Sequence, residues 1–201
     1  MHSPDLLHAV EARICDEYGK VAEVRELPGE RDWNFLVSER EIGTRWVLKL
    51  FAPAESRDFV DAEIAVMDRL GSAGLPVPRV ERCRAGHTVV ALTGHGTAPR
   101  WGRMVSFLPG RPLAKLTLFP EALQEELGAA VAKIALALDG FELPAIRRPF
   151  DWDLASGLAV IEFGRDAVTD PFLRGMVHKV AAGFTATRQR VHGELPESVI
   201  H

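Results

Sequence analysis

The chain has 201 residues, is 47% hydrophobic and 26% charged, and carries a formal net charge of −4. That length and apolar content suit one large or two small globular domains, and they exclude disordered, collagen-like and coiled-coil chains. Weak acidity disfavours a nucleic-acid partner, and no apolar run reaches the roughly 18 residues of a membrane span. Without a visible leader peptide the expected location is the cytoplasm, where Cys15 and Cys83 would be small buried apolar groups.

The first half of the chain alternates between helical and strand periodicity. Residues 4–18 predict a helix that Ser3 caps and Gly19 ends. Residues 20–27, 34–38 and 45–51 predict three strands joined by short turns, which is typical of an antiparallel meander. A second helix is predicted at 56–70, and further strands at 79–84, 88–92 and 103–108.

The second half of the chain is mainly helical. Helices are predicted at 120–138, 154–167 and 171–191, and an extended segment begins at Val199. Either Asp151 or Asp153 would cap the second of these helices. Pro109 and Gly110 stand where the character changes, so we expect an N-terminal lobe of residues 1–109 and a partial helical lobe of residues 110–201.

Lys49 is unusual because it lies inside an apolar strand. Alternation places Val47 and Phe51 on the same face as Lys49, and the other face is also apolar. Because an unpaired ammonium is costly to bury, we expect an anionic partner. The alternative is a lysine whose charged end reaches water at the edge of the sheet.

Glu63 is the candidate partner. It shares a helical stripe with Phe59, Met67 and Leu70, at spacings of four, four and three residues. The alternative is a glutamate at the margin of that stripe. A strand lysine paired with a glutamate on the next helix orients nucleotide phosphates in kinase-like folds, so the two charges explain each other.

Two further segments suit a nucleotide. The turn between the first two strands contains Gly29, and its backbone N–H groups suit phosphate oxygens, with Asp32 and Asn34 bracing the turn. A plain hairpin is the alternative.

The apolar strand that runs into Pro109 and Gly110 resembles a hinge between lobes. There the carbonyl of Ser106 and the N–H of Leu108 would read adenine, with Val105 beside the pocket. The alternative is a core strand that ends at a turn.

Together these segments resemble the aminoglycoside phosphotransferase and choline kinase-like superfamily, and within it the hydroxylysine kinase-type phosphotransferases. The segments that carry the resemblance are 29–35, 46–50, Glu63 in its helix, 105–113, 150–154 and 199–201. The resemblance implies an α+β, protein-kinase-like bilobal fold, with an N-terminal antiparallel sheet and one helix followed by an incomplete helical lobe. It also places Phe35, at the end of the Gly29 turn, in the nucleotide-binding set.

The resemblance further implies transfer of the γ-phosphoryl group of ATP or GTP, with Mg²⁺, to a hydroxyl of an amino-acid, amino-alcohol or aminoglycoside-like acceptor. The last residues resemble the start of the family's catalytic loop, which adds His201 to Lys49 and Glu63 in the catalytic set. The aspartate that follows this histidine in the family, and the metal ligands, match no residue here. We therefore expect an incomplete domain without metal ligands of its own, open to fusion with further domains downstream; the alternative is a non-catalytic nucleotide-binding or interaction module.

Overall fold

A computed structural model describes residues 3–92, 99–148, 150, 152–191 and 199. The chain separates into two compact units, the first reaching Gly140 and the second comprising Phe141–Val199. This division does not coincide with the lobe boundary that the sequence predicts between residues 109 and 110, and that boundary stays a prediction.

The first unit is built on an antiparallel sheet. Its elements are α1 (Pro4–Tyr18), β1 (Ala22–Leu27), β2 (Trp33–Glu39), β3 (Arg45–Leu50), α2 (Arg57–Ser72), β4 (Val80–Glu81), β5 (Val90–Leu92), β6 (Arg100–Ser106) and α3 (Glu121–Ala137). The strand order is β1-β2-β3-β6-β4, and β5 pairs with β6. The predicted meander of the first three strands is confirmed. β6 begins earlier than expected because Arg100 and Trp101 pair with β5.

Local capping explains where the first two helices begin. The Ser3 hydroxyl accepts a hydrogen bond from the N–H of Leu6, and the Ser56 hydroxyl accepts one from the N–H of Phe59. Gly19 ends α1 with a φ of 70°, a left-handed conformation that glycine adopts without steric cost. The predicted N-cap Ser3 and the predicted end of α1 at Gly19 are therefore present, and the cap at Ser56 was not predicted.

Helices α1 and α2 belong to two different apolar clusters. Val10, Ile14 and Tyr18 of α1 are buried in the main apolar cluster, which lies on one face of the sheet. The strands contribute to that cluster the residues Val24, Phe35, Val37, Trp46, Leu48, Leu50 and Met104, among others. A second cluster joins α2 to Phe51 and Val89. Because side chains alternate along a strand, the face opposite α1 is free to carry polar groups.

The apolar face of α2 is rotated from the predicted stripe. Val60, Ile64 and Leu70 are buried, whereas Phe59 and Met67 are only half-buried and pack against their cluster. Cys15 also departs from expectation, because it is exposed on α1, while Cys83 is buried as predicted. Position on a helix face, rather than residue type, decides both outcomes.

Within the residues that the structure describes, the second unit contains the helices α4 (Gly157–Gly164) and α5 (Pro171–Val191). The predicted helix at 154–167 is shorter than expected, since single 3₁₀ turns at Leu154–Ser156 and Arg165–Ala167 flank α4. Asp153 caps the first of these turns by accepting from the N–H of Ala155. Asp151 and the segment that follows Val199 lie outside the described residues. No helix in the described part of the chain has the length and apolarity to cross a membrane.

Candidate functional site

Strand register brings the charged residues together on the face opposite α1. Lys49 lies opposite Asn34 of β2 and opposite Arg103 of β6. Two residues further back along β3, Val47 lies opposite Val105. Because these positions share one phase of the strand alternation, a polar patch and an apolar patch stand side by side on this face.

The ammonium of Lys49 contacts two carboxylates. Its Nζ lies 3.0 Å from Oδ2 of Asp32 and 3.6 Å from Oε1 of Glu63, and it lies over the Phe51 ring at 4.4 Å. The side chain of Lys49 is 25% exposed, so it is partly buried and still open to solvent. The predicted ion pair with Glu63 is present. The pairing with Asp32 was not predicted, because the sequence suggested only a bracing role for that residue.

Arg103 is a component that the sequence did not single out. Its Nη2 lies 2.7 Å from Oε2 of Glu63, and its side chain is only 11% exposed. Burial lowers the pKa of Arg103, while the carboxylate of Glu63 acts in the opposite direction. The available signal in the sequence was that Arg103 shares a strand face with Val105, as Lys49 does with Val47. Only the β3–β6 register brings Arg103 next to Lys49 and so into contact with Glu63.

The turn at residues 28–32 is closed by side chains. Oδ1 of Asp32 accepts a hydrogen bond from the N–H of Ala52 at 2.8 Å, and the Asn34 amide donates to the carbonyl of Pro28 at 3.3 Å. A Cβ on Gly29 would lie 2.2 Å from the carbonyl oxygen of Asp32 and 2.7 Å from Nδ2 of Asn34. The turn therefore has the bracing that the sequence suggested, and it closes so tightly that residue 29 must be glycine.

Phe35 is not brought to this face. Its side chain is fully buried in the cluster on the α1 side of the sheet, because it is out of phase with its neighbour Asn34. A side-chain role for Phe35 in binding is therefore not supported by its placement. His201 lies outside the described residues.

The residues of the predicted hinge lie at and just after the end of strand β6. The N–H of Ser106 donates to the carbonyl of Arg79, and its hydroxyl accepts from the N–H of the same residue. Val105 is half-buried and Leu108 is 45% exposed. The roles of the Ser106 carbonyl and the Leu108 N–H in reading a base stay predictions.

The charges of the site nearly balance. Lys49 and Arg103 face the carboxylates of Asp32 and Glu63. Burial lowers the pKa of Arg100, and the nearby carboxylate of Asp32 opposes that change. The Arg100 guanidinium lies over the Trp33 ring at 3.9 Å. Counting Arg100, the site holds one positive charge more than negative, which favours an anion. Among the described residues, no three His, Cys, Asp or Glu side chains are grouped so that they could hold a metal ion.

The sequence pattern of a known family matches most of the chain. The pattern described as the phosphotransferase enzyme family matches residues 23–201. The chain belongs to the phosphotransferase enzyme family. Hydroxylysine kinase from Mus musculus is 27% identical over 180 residues, which cover 82% of this chain and 47% of the mouse protein. Homoserine kinase from Xanthobacter autotrophicus is 28% identical over 173 residues, covering 86% of this chain and 50% of that protein.

Two solved structures of kinases share the fold. A microcompartment-associated aminopropanol kinase superposes with a TM-score of 0.58 at 19% identity, covering 74% of this chain and 46% of its own. An amicoumacin kinase in complex with AMP-PNP and Ca²⁺ superposes with a TM-score of 0.59 at 17% identity, covering 76% of this chain and 47% of the amicoumacin kinase chain. The predicted α+β kinase-like fold and the resemblance to hydroxylysine kinase-type phosphotransferases are confirmed. The phosphotransferase chain described here spans about half the length of the relatives it matches.

Proposed function

We propose that this chain carries the nucleotide-binding part of an ATP-dependent small-molecule kinase. The observation that supports this most directly is the Lys49–Glu63 ion pair, which lies on the sheet face opposite α1, beside the tight Gly29 turn. The proposed reaction transfers the γ-phosphoryl group of ATP to a hydroxyl of an amino-acid, amino-alcohol or aminoglycoside-like acceptor. The named relatives support the acceptor class, because hydroxylysine, homoserine and aminopropanol each carry an amine and a hydroxyl.

The residues present fit a nucleoside triphosphate. The ammonium of Lys49 would hold phosphate oxygens, while Glu63 keeps that ammonium on the sheet face. The half-buried Val47 and Val105 offer an apolar surface to a base, and the Leu108 N–H and Ser106 carbonyl would bind its edge. When bound, ATP supplies the phosphoryl group, and the part played by these residues is binding and orientation.

Mg²⁺ is proposed on the family alone. The amicoumacin kinase, whose structure was solved in complex with AMP-PNP and Ca²⁺, supports a nucleotide together with a divalent cation. The described residues supply no ligand set for such a cation, so no step is assigned to it. We also propose that this ATP-consuming enzyme works in the cytoplasm.

Nucleotide binding is the first experiment. Isothermal titration of the chain with ATP, GTP and adenosine should show ATP binding at least about tenfold more tightly than adenosine, because the charged site contributes only to the phosphates. The GTP titration decides between the two nucleotides. Equal affinity for ATP and adenosine, or binding of neither, would contradict the proposal.

The acceptor is tested separately with protein expressed from the whole gene. The protein would be incubated with ATP, Mg²⁺ and one acceptor at a time, chosen from hydroxylysine, homoserine, aminopropanol, choline and an aminoglycoside. The masses of the products would be measured by mass spectrometry. We expect a mass increase of one phosphoryl group on at least one of them. ATP binding without any phosphorylated product would instead favour a nucleotide-binding module.

Gly29→Ala should loosen the turn that covers the proposed phosphate site. The added methyl cannot coexist with the carbonyl of Asp32, so the backbone must open. We expect ATP affinity to fall by about tenfold, with adenosine affinity changed by less than about twofold. The control is Gly128→Ala in α3, where an added Cβ meets nothing within 4 Å. Unchanged ATP affinity in Gly29→Ala would show that the turn takes no part in binding.

A further inference from the structure

Glu63 divides its two carboxylate oxygens between cations on neighbouring strands. Oε2 lies 2.7 Å from Nη2 of Arg103, and Oε1 lies 3.6 Å from Nζ of Lys49. Arg103 and Lys49 are direct register partners across β6 and β3. Glu63 is therefore held more closely by the arginine than by the lysine that it is expected to orient.

Lys49 in turn is closer to another carboxylate. Its distance to Asp32 is 3.0 Å, and the second oxygen of Asp32 is occupied by the N–H of Ala52. The result is a line of alternating charges that runs from the turn through Asp32, Lys49, Glu63 and Arg103. The contact between Lys49 and Glu63 is the longest link in this line.

Burial strengthens the arginine end of the line. The Arg103 side chain is 11% exposed, compared with 25% for Lys49 and 28% for Glu63. Attraction between opposite charges grows as water is excluded, so the Arg103–Glu63 contact is the better anchor of the two. The apolar residues of α2 hold the helix against its neighbours, but dispersion contacts have little directionality. A charged contact at Glu63 can fix the rotation of α2 about its axis.

We propose that Arg103 is a positioning residue, which anchors Glu63 to β6 so that this carboxylate stays in place to orient Lys49 when the ammonium also contacts a phosphate. This inference rests on the proposed function of Lys49. If Lys49 were the sole partner of Glu63, each bound phosphate would have to compete with a half-buried carboxylate for one ammonium. With Arg103 in place, Glu63 stays neutralised and α2 keeps its orientation while Lys49 shares its charge between Glu63 and a phosphate.

The test uses Arg103→Met in the whole chain. Methionine fills a similar volume, but it removes one partner of a largely buried ion pair, and such a change destabilises the fold. Circular dichroism therefore checks that the variant is folded, and the Glu63→Gln/Arg103→Met double variant, which removes both charges, is the better-tolerated comparison. We expect ATP affinity to fall by about tenfold, the size of one interaction with a charged group, and adenosine affinity to change by less than about twofold. Arg103→Lys, which retains the charge, should restore most of the loss. Equal losses for ATP and adenosine would indicate a merely structural role and overturn the proposal.

Two controls separate the anchor from general effects. Arg57→Met removes an arginine from α2, the helix that carries Glu63. Arg57 pairs with the exposed Asp61, so this variant should leave ATP affinity unchanged. In a Glu63→Gln background, Arg103→Met should have little further effect, because the arginine acts through that carboxylate. Fully additive losses in the double variant would also overturn the proposal.

A nucleotide-free measurement keeps this inference distinct from the proposed function. Hydrogen exchange of the α2 amides, followed by mass spectrometry without nucleotide, should be several-fold faster in Arg103→Met than in the unsubstituted chain or Arg57→Met. If the unsubstituted chain binds no ATP, the proposed function fails, and the exchange result alone decides whether Arg103 anchors α2. Unchanged exchange contradicts the anchor, and faster exchange with unchanged ATP affinity contradicts its role toward phosphate.

Discussion

Lys49→Met should lower the affinity for ATP by roughly 10- to 150-fold and leave adenosine binding nearly unchanged. The ammonium is the partly exposed cation at the centre of the site, and an interaction with a charged group contributes about 1.5–3 kcal/mol. Isothermal titration of both ligands measures the effect. Lys49→Arg should recover only part of it, because a planar guanidinium does not reproduce the compact ammonium.

The chain offers a matched control for this substitution. Lys20 is also partly buried, pairs with Glu81 at 3.0 Å and lies over the Trp46 ring, which belongs to the α1 side of the sheet. Lys20→Met should therefore leave ATP affinity unchanged. If both lysine variants lose ATP binding equally, the effect is one of net charge and Lys49 has no special role. If neither loses it, the phosphates bind elsewhere.

Ile14→Ala should lower the free energy of unfolding by about 2–5 kcal/mol. Ile14 is completely buried between α1 and the sheet, and truncating such a side chain removes burial and leaves a cavity. Urea unfolding followed by tryptophan fluorescence or circular dichroism measures the loss. Because α1 packs on the face opposite Lys49, the affinity for ATP of the folded protein should stay within about twofold.

Ile42→Ala provides the same substitution at an exposed position. Ile42 is 74% exposed, and a surface change of this kind usually alters stability by less than about 0.5 kcal/mol. If the free energies of unfolding of the Ile14→Ala and Ile42→Ala variants differed by less than about 1 kcal/mol, α1 would not be an integral part of the core. The pair therefore tests the fold independently of any ligand.

Local signals were sufficient for much of the N-terminal unit. Ser3, Gly19 and Ser56 mark helix ends because their preferences depend on hydrogen bonds and backbone conformation within one turn. The change from helical to strand periodicity located β1, β2 and β3 to within two residues at their starts. The pairing of Lys49 with Glu63 could be predicted because a charge buried in an apolar segment is destabilising unless an opposite charge compensates it.

Other features depend on contacts between distant segments. The helix predicted at 154–167 has α-helical structure only over Gly157–Gly164, and the apolar side of α2 is centred on Val60 and Ile64 rather than on the predicted stripe. Periodicity indicates that a segment is amphipathic. It does not determine how far the helix turns toward its neighbours, because packing against other elements decides that.

By itself, the sequence determined the element order, the antiparallel meander and the candidate lysine–glutamate pair. Only the tertiary structure decided that Arg103 holds Glu63, that Asp32 is the nearer partner of Lys49, and that Phe35 lies on the far side of the sheet. The physical reason is register. Lys49 and Arg103 are far apart in the chain, and the adjacency of β3 and β6, which no local pattern encodes, places their charges on one carboxylate.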